Sequence, residues 1–263
     1  MSAARALWRG AAALLALVAL AGAGGCASVP IPADAGSNPA DPFERMNRRV
    51  YAFNDRFDKA VAEPAARTYN AVLPKVMRDC VSNFFDNLHE MPNAIYAALQ
   101  GRAAEAGRDT GRLIINTTVG VGGCFDVARQ AGLERARQNF GLTMGRWGMS
   151  PGPYLVLPVL GPSTVRQTVG LIPDYFGTDP IGYLRPIKDE YYLETGRLLS
   201  DRAELVESEQ LIEQAALDRY SFLRDGYLQR LRSRVYDGSP PPAPVEEDPD
   251  APDSAPPAAP ARK

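Results

Sequence analysis

With one histidine, His89, and three cysteines, Cys26, Cys80 and Cys124, in 263 residues, the sequence has little material for metal or proton-transfer chemistry. Zinc sites draw their four ligands mainly from these two residue types, so no metal or other cofactor is expected. A Ser-His-Asp enzyme would have to build its base on His89, set in LHEMPN. His89 is instead expected at a helix end, where backbone carbonyls favour partial positive charge. A charge excess of one sign is missing too, with 29 basic against 31 acidic side chains. Removing the +2 of residues 1–25 and the −3 of residues 238–263 from the total of −2 leaves −1 on the body. Such a body argues against nucleic-acid binding, which relies on clustered Lys and Arg to displace counterions from phosphate. A phosphate loop is excluded as well: Gly120, Gly122 and Gly123 fail the G-x-G-x-x-G spacing because Phe125 stands at the third glycine position. These glycines are expected to form a hinge or a close helix contact.

No apolar run reaches the ~20 residues that a membrane-crossing helix needs. Residues 1–25 instead combine Arg5 and Arg9, the run ALLALVALAGAG, and small residues just before Cys26, the layout of a secretory signal. Export leaves Cys80 and Cys124 in an oxidising compartment, where a disulfide forms if their Cα atoms lie within ~7 Å. The residues themselves favour two small buried apolar side chains, because a helical core of this size needs no staple.

Residues 26–40 lack apolar periodicity and read as a linker. The body, residues 41–237, is expected to be mainly α. Asp41 and Pro42 open a helix whose Phe43, Met46, Val50, Phe53, Phe57 and Val61 recur at spacings of three and four, ending before Pro64. Read alone, this stripe favours packing on a soluble bundle over a membrane interface. A second helix carries Val76 to Leu88, and a short third one starts at Pro92 and stops at Gly101. Residues 102–123 begin helical and, though β-rich in composition from Leu113 to Val119, are expected to form a helix, and CFDVARQA forms a short helix ending at Gly132. A Gly/Pro-rich middle, with Tyr154 to Leu160 broken by Pro158, predicts an irregular hairpin, after which Ser163 caps a helix toward Phe176. The last third is helical, with one face from Ile187 to Leu205 and a second from Ile212 to Val235, and Gly238 ends it. Residues 238–263 have the proline and acidic composition of a disordered tail.

Six stretches carry a resemblance: DPFERMNRRVYAFN, VSNFFDNLHEMPNAI, ALQGRAAEAGRD, GVGGCFDVA, NFGLTMGRWGMSPGPYLVLPVLGPSTVR and DRYSFLRDGYLQR, in this order across residues 41–236. Together they resemble the MlaA (VacJ) family of lipoproteins. The stretch before Cys26 resembles that family's lipidation signal, with Ala23 in place of the usual leucine, and marks Cys26 as the lipidated residue. Ala27 and Ser28, neither of them aspartate, imply delivery to the outer membrane, on its periplasmic side. The resemblance implies a single ring-shaped helical domain, associated with porin trimers, enclosing an amphipathic channel. Through it, mislocalised phospholipids leave the outer leaflet for a periplasmic shuttle protein. Phe53 and Asn54 are then candidates for the lipid path, and Gly145, Gly148 and Gly152 for the hinge of a gate. Two alternatives stand beside this. One is a structural envelope lipoprotein, its tail of 26 residues reaching ~80 Å at polyproline spacing. The other is a lipid hydrolase, for which no nucleophile–base pair is identified.

Overall fold

The computed structural model describes residues 31–32, 35–184, 186–215 and 218–241, with the backbone alone over 207–215. The expected signal segment, Cys26 and most of the expected tail lie outside these residues. The element order is α1 (Glu44–Phe57), α2 (Glu63–Val72), α3 (Lys75–Leu99), α4 (Ala103–Thr118), α5 (Val127–Gln130), α6 (Phe140–Arg146), β1 (Tyr154–Leu157), β2 (Gly161–Thr164), α7 (Val165–Pro173), α8 (Ile187–Ala215) and α9 (Arg219–Val235). The fold is mainly α, with one antiparallel hairpin that pairs Tyr154 with Thr164 and Leu157 with Gly161.

Prolines break fewer helices than their positions predict. Pro64 does not stop the first helix: a π-helical turn over Asp58–Ala62 bridges α1 to α2. The Glu63 N–H bonds the Asp58 carbonyl five residues back, and Pro64 falls in the first turn of α2, where its missing N–H costs nothing. Pro92 lies buried inside α3, so the second and third expected helices are one helix of 25 residues. The lost hydrogen bond is offset by burial of Phe85, Tyr96 and Ala97 on the same helix. His89 consequently sits mid-helix, not at an end. Burial, and then the charge of Arg197, hold its imidazole below the ordinary value.

Local capping also differs from expectation. Asp41 does not cap α1: it is fully buried and accepts hydrogen bonds from Asn47 Nδ2 at 2.7 Å and Tyr220 Oη at 2.5 Å. Thr164, not Ser163, caps α7, because the ladder holds Ser163 opposite Leu155 and leaves Thr164 as the last strand residue. The C-terminal helical region divides at Asp218, whose carboxylate caps α9 by accepting from the Tyr220 and Ser221 N–H groups.

Cys80 and Cys124 form a disulfide, with Cα atoms 4.1 Å apart, where two unpaired thiols were expected. The Gly-rich turn after α4 brings them together. Gly123, at φ +93°, lies so close to Asn87 on α3 that a Cβ there would stand 2.8 Å from the asparagine side chain. This is the close helix contact anticipated for these glycines.

The interior is unusually polar. Among the described residues eighteen buried side chains are polar or charged and fourteen are apolar or aromatic, while thirty-two large apolar or aromatic side chains are exposed. Two buried ionic networks organise the body. Arg112 on α4 donates to Glu90 on α3 at 2.8 Å and to both Asp126 oxygens at 3.0 and 3.1 Å. Arg48 on α1 binds Glu44 at 2.8 Å and Asp218 at 2.7 Å, with its guanidinium 4.4 Å above the Tyr220 ring. Arg202 on α8 holds Asp58 in the π turn at 2.6 and 2.7 Å.

Candidate functional site

The site is built where α1 meets the hairpin, and α1 is turned against its amphipathic pattern. Its polar Glu44, Asn47 and Arg48 are buried, whereas Phe43, Met46, Phe57 and Val61 of the predicted apolar stripe are exposed, at 47, 49, 37 and 53 %. Val50 and Phe53 are half-buried, Phe53 stacking on Phe57 with ring centres 6.5 Å apart.

Two asparagines on the inward face grip β1 by its backbone. Asn47 Nδ2 donates to the Tyr154 carbonyl at 3.0 Å, and its Oδ1 accepts from the Val156 N–H at 2.9 Å. Asn54 repeats the pattern: Nδ2 donates to the Leu157 carbonyl at 2.9 Å and Oδ1 accepts from the Val159 N–H at 2.8 Å. The spacing explains the match. Seven helical residues rise ~10.5 Å, close to the ~10 Å that three strand residues cover. The two carboxamides therefore hold β1 and the turn that follows it by their backbone, one near each end. Beneath them Tyr154 and Val156 pack with Tyr220, and with Val50, Tyr51, Tyr227 and Leu228 around.

The grip ends on a strained tip. Val159, a β-branched residue, has φ +65°, a conformation disfavoured for its side chain, and both Val159 and Leu160 are exposed. Asn54 fixes the Val159 N–H there. Sequence reasoning named Asn54 but missed Asn47, whose signal was its place seven residues earlier on the same helix face.

The three glycines occupy different settings. Gly145 lies inside α6, and a Cβ there would stand 2.8 Å from the Arg166 guanidinium carbon and 2.9 Å from Val235 Cγ2. Gly148 and Gly152, at φ +90° and +67°, bracket the link from α6 to β1. That link reads Gly148-Met149-Ser150-Pro151-Gly152 and so satisfies G-x-S-x-G, which the expectation of no nucleophile–base pair passed over. The motif needs a strand-to-helix turn, whereas here it runs from helix to strand. Exposed Ser150 Oγ accepts from the Gly152 N–H at 3.2 Å, and no hydrogen bond joins it to His89 among the described residues. Likewise no group of three or more His, Cys, Asp or Glu is placed to hold a metal ion there. The arrangement suits recognition of an amphipathic molecule, with apolar side chains outside and a hydrogen-bonded polar scaffold within.

No helix among the described residues is long and apolar enough to cross a membrane. Comparison with known proteins supplies the context for this geometry. The MlaA lipoprotein family model matches residues 39–234. The intermembrane phospholipid transport system lipoprotein MlaA of Escherichia coli K12 is 33 % identical over 195 residues, covering 73 % of this chain and 76 % of its own. Its counterpart of the same name in Haemophilus influenzae is 30 % identical over 210 residues, covering 75 % and 80 %. An uncharacterized protein of Rickettsia bellii is 32 % identical over 195 residues, covering 74 % and 76 %. A solved structure described as "Structural basis for maintenance of bacterial outer membrane lipid asymmetry" superposes with a TM-score of 0.65 at 31 % identity, over 74 % of this chain and 98 % of that one. Matched over three quarters of its length in sequence and in fold, the chain belongs to the MlaA lipoprotein family.

Proposed function

We propose that this chain is an outer-membrane lipoprotein that removes mislocalised phospholipids from the outer leaflet and maintains lipid asymmetry, without catalysing a reaction on them. The ring-shaped body, anchored on the periplasmic side through lipidated Cys26, encloses an amphipathic channel and passes lipid to a periplasmic shuttle protein, with porin trimers as its membrane neighbours. The observation that carries this reading is the first helix and its π turn, along which Phe43, Met46, Phe57 and Val61 face outward while Glu44, Asn47 and Arg48 face the protein. Water does not favour such an apolar face, and lipid does. In this reading Phe53 borders the lipid path. The hairpin gates it about Gly145, Gly148 and Gly152, and Asn54 holds the gate's tip.

Two experiments test the chemistry and the gate. Labelled phospholipid supplied to the lipidated protein in vesicles is expected to move to an acceptor intact; sustained release of fatty acid or lysophospholipid would overturn the transport reading. Asn54→Leu removes both bonds to the tip, at a half-buried position, and is expected to change outer-leaflet phospholipid at nearly normal protein abundance. Asn47→Leu strands a buried carbonyl and N–H at ~1–3 kcal/mol each and is expected to lower abundance instead. Unchanged asymmetry in a correctly localised Asn54→Leu variant counts against the gate.

The anchor has its own readout. Intact-mass analysis of mature protein is expected to show acyl mass on an N-terminal Cys26. A mature N-terminus elsewhere, without lipid mass, rejects lipidation.

A further inference from the structure

A cavity of about 250 Å3 between α6 and the C-terminal end of α9 is lined by Arg137, Arg146 and Arg234, with Asp237 as its one acid. Asp237 is taken up by Arg146, at 2.8 and 2.5 Å, and Arg137 reaches out to Asp86 at 2.9 Å. Arg234 has no carboxylate partner among the described residues, and its Nη2 donates to the Arg137 carbonyl at 2.6 Å. Burial, and then the charges of Arg137 and Arg230, hold its guanidinium below the ordinary value. A cation held among cations in this way is stabilised by any anion that enters.

The chain passes from this cavity into its most acidic segment. Gly238, itself part of the lining, has φ +84° and reverses the backbone, its N–H bonding the Ser233 carbonyl at 2.8 Å. Arg232 Nη2 then donates to the Pro241 carbonyl at 2.5 Å, so the chain turns back beside α9. Glu246, Glu247, Asp248, Asp250 and Asp253 follow with no base among them. Eight residues separate Gly238 from Glu246. At most ~3.6 Å per residue, that tether keeps Glu246 within about 29 Å of the cavity edge and Asp253 within about 54 Å. So short a tether gives a millimolar effective concentration.

We propose that the cavity lined by Arg137, Arg146 and Arg234 is the docking site of this chain's own acidic segment, residues 246–253. Its carboxylates give Arg234 the forked partner that the body withholds. The contact weakens with salt, because the charges lie at a partly open surface.

The test titrates a labelled peptide of residues 242–263 into two full-length proteins. One is unaltered, and the other carries Glu246→Gln, Glu247→Gln, Asp248→Asn, Asp250→Asn and Asp253→Asn. The neutralised protein is expected to bind the peptide about ten-fold more tightly, since its own segment no longer competes. Added salt is expected to weaken this binding, and Arg234→Gln to abolish it. Arg137→Gln, at an exposed side chain, gives the same loss and guards against a folding defect at half-buried Arg234. Equal affinity for the two proteins, or binding indifferent to both arginine variants, overturns the proposal. So does equal binding of inorganic phosphate, or of anionic phospholipid vesicles, to both proteins through Arg234, for the cavity is then a free anion site.

Discussion

Replacing Arg112 with methionine is expected to destabilise the body by about 3–5 kcal/mol, because it breaks a buried ion pair and leaves the partner charge behind. Arg112 and Glu90 are both fully buried, and the guanidinium also serves both oxygens of Asp126 and the Leu133 carbonyl. Without it Glu90 keeps Arg135, at 2.9 Å, as its remaining cation. The double variant Glu90→Leu/Arg112→Met is expected to lose less than the two single variants together, since it removes the stranded charge along with its partner. Urea unfolding of all three measures the coupling, and strictly additive losses would show that the pair is not a unit. Acid titration gives a second readout. Burial alone pushes the Asp126 carboxyl up, but hydrogen bonds from Arg112, Asn116 and the Arg129 N–H outweigh it and hold the group below 3.8. Its stabilisation is therefore complete above the unfolded value, near 3.8, and is lost as the pH falls through the lower folded value. In Arg112→Met that acid-dependent loss is expected to shrink.

Removing the disulfide with Cys80→Ala/Cys124→Ala is expected to lower stability by about 4 kcal/mol in the chain-entropy account, given a separation of 44 residues. The turn itself has other ties. Asn83 donates to the Cys124 carbonyl at 3.1 Å, Asn87 to Thr117 at 2.9 Å, and the Gly123 N–H to the Asn116 carbonyl at 2.8 Å. The loss is thus expected in global unfolding, with hydrogen exchange in the turn falling no further than in the helices. Reductant is expected to lower the melting temperature of the unaltered protein and leave the variant unmoved. A variant as stable as the parent would mean that the unfolded chain gains little freedom from the missing link. Cys124 lies two residues from Asp126, so losses from this variant and from Arg112→Met are not expected to add.

Much of the fold follows from local signals. The three-and-four spacing of Phe43 to Val61, Gly238 beyond α9, and the Pro-broken run Tyr154 to Leu160 each mark an element found at that place. Asn54 was legible as a lipid-path candidate from its place on the first helix, and its bonds to the hairpin backbone were not. A carboxamide bonds whatever backbone comes within reach, and the strand it grips lies 103 and 105 residues away. The fates of Pro64 and Pro92 were equally hidden, because local preference stops a helix at proline. A π turn tied to distant Arg202 carries the chain past Pro64, and burial of α3 carries it past Pro92.

The sequence by itself determined the helical content, the hairpin, the family and the scarcity of catalytic side chains, since these rest on periodicity, turn chemistry and motif order. Tertiary structure alone decided which face of α1 turns inward, that Cys80 meets Cys124, and that Arg112, Glu90 and Asp126 share a buried network. Periodicity fixes that a helix has two faces, and nothing local says which one meets the protein. That choice depends on partners far along the chain: here Asn47 and Arg48 find β1 and Asp218, and Phe43, Met46, Phe57 and Val61 are left outward.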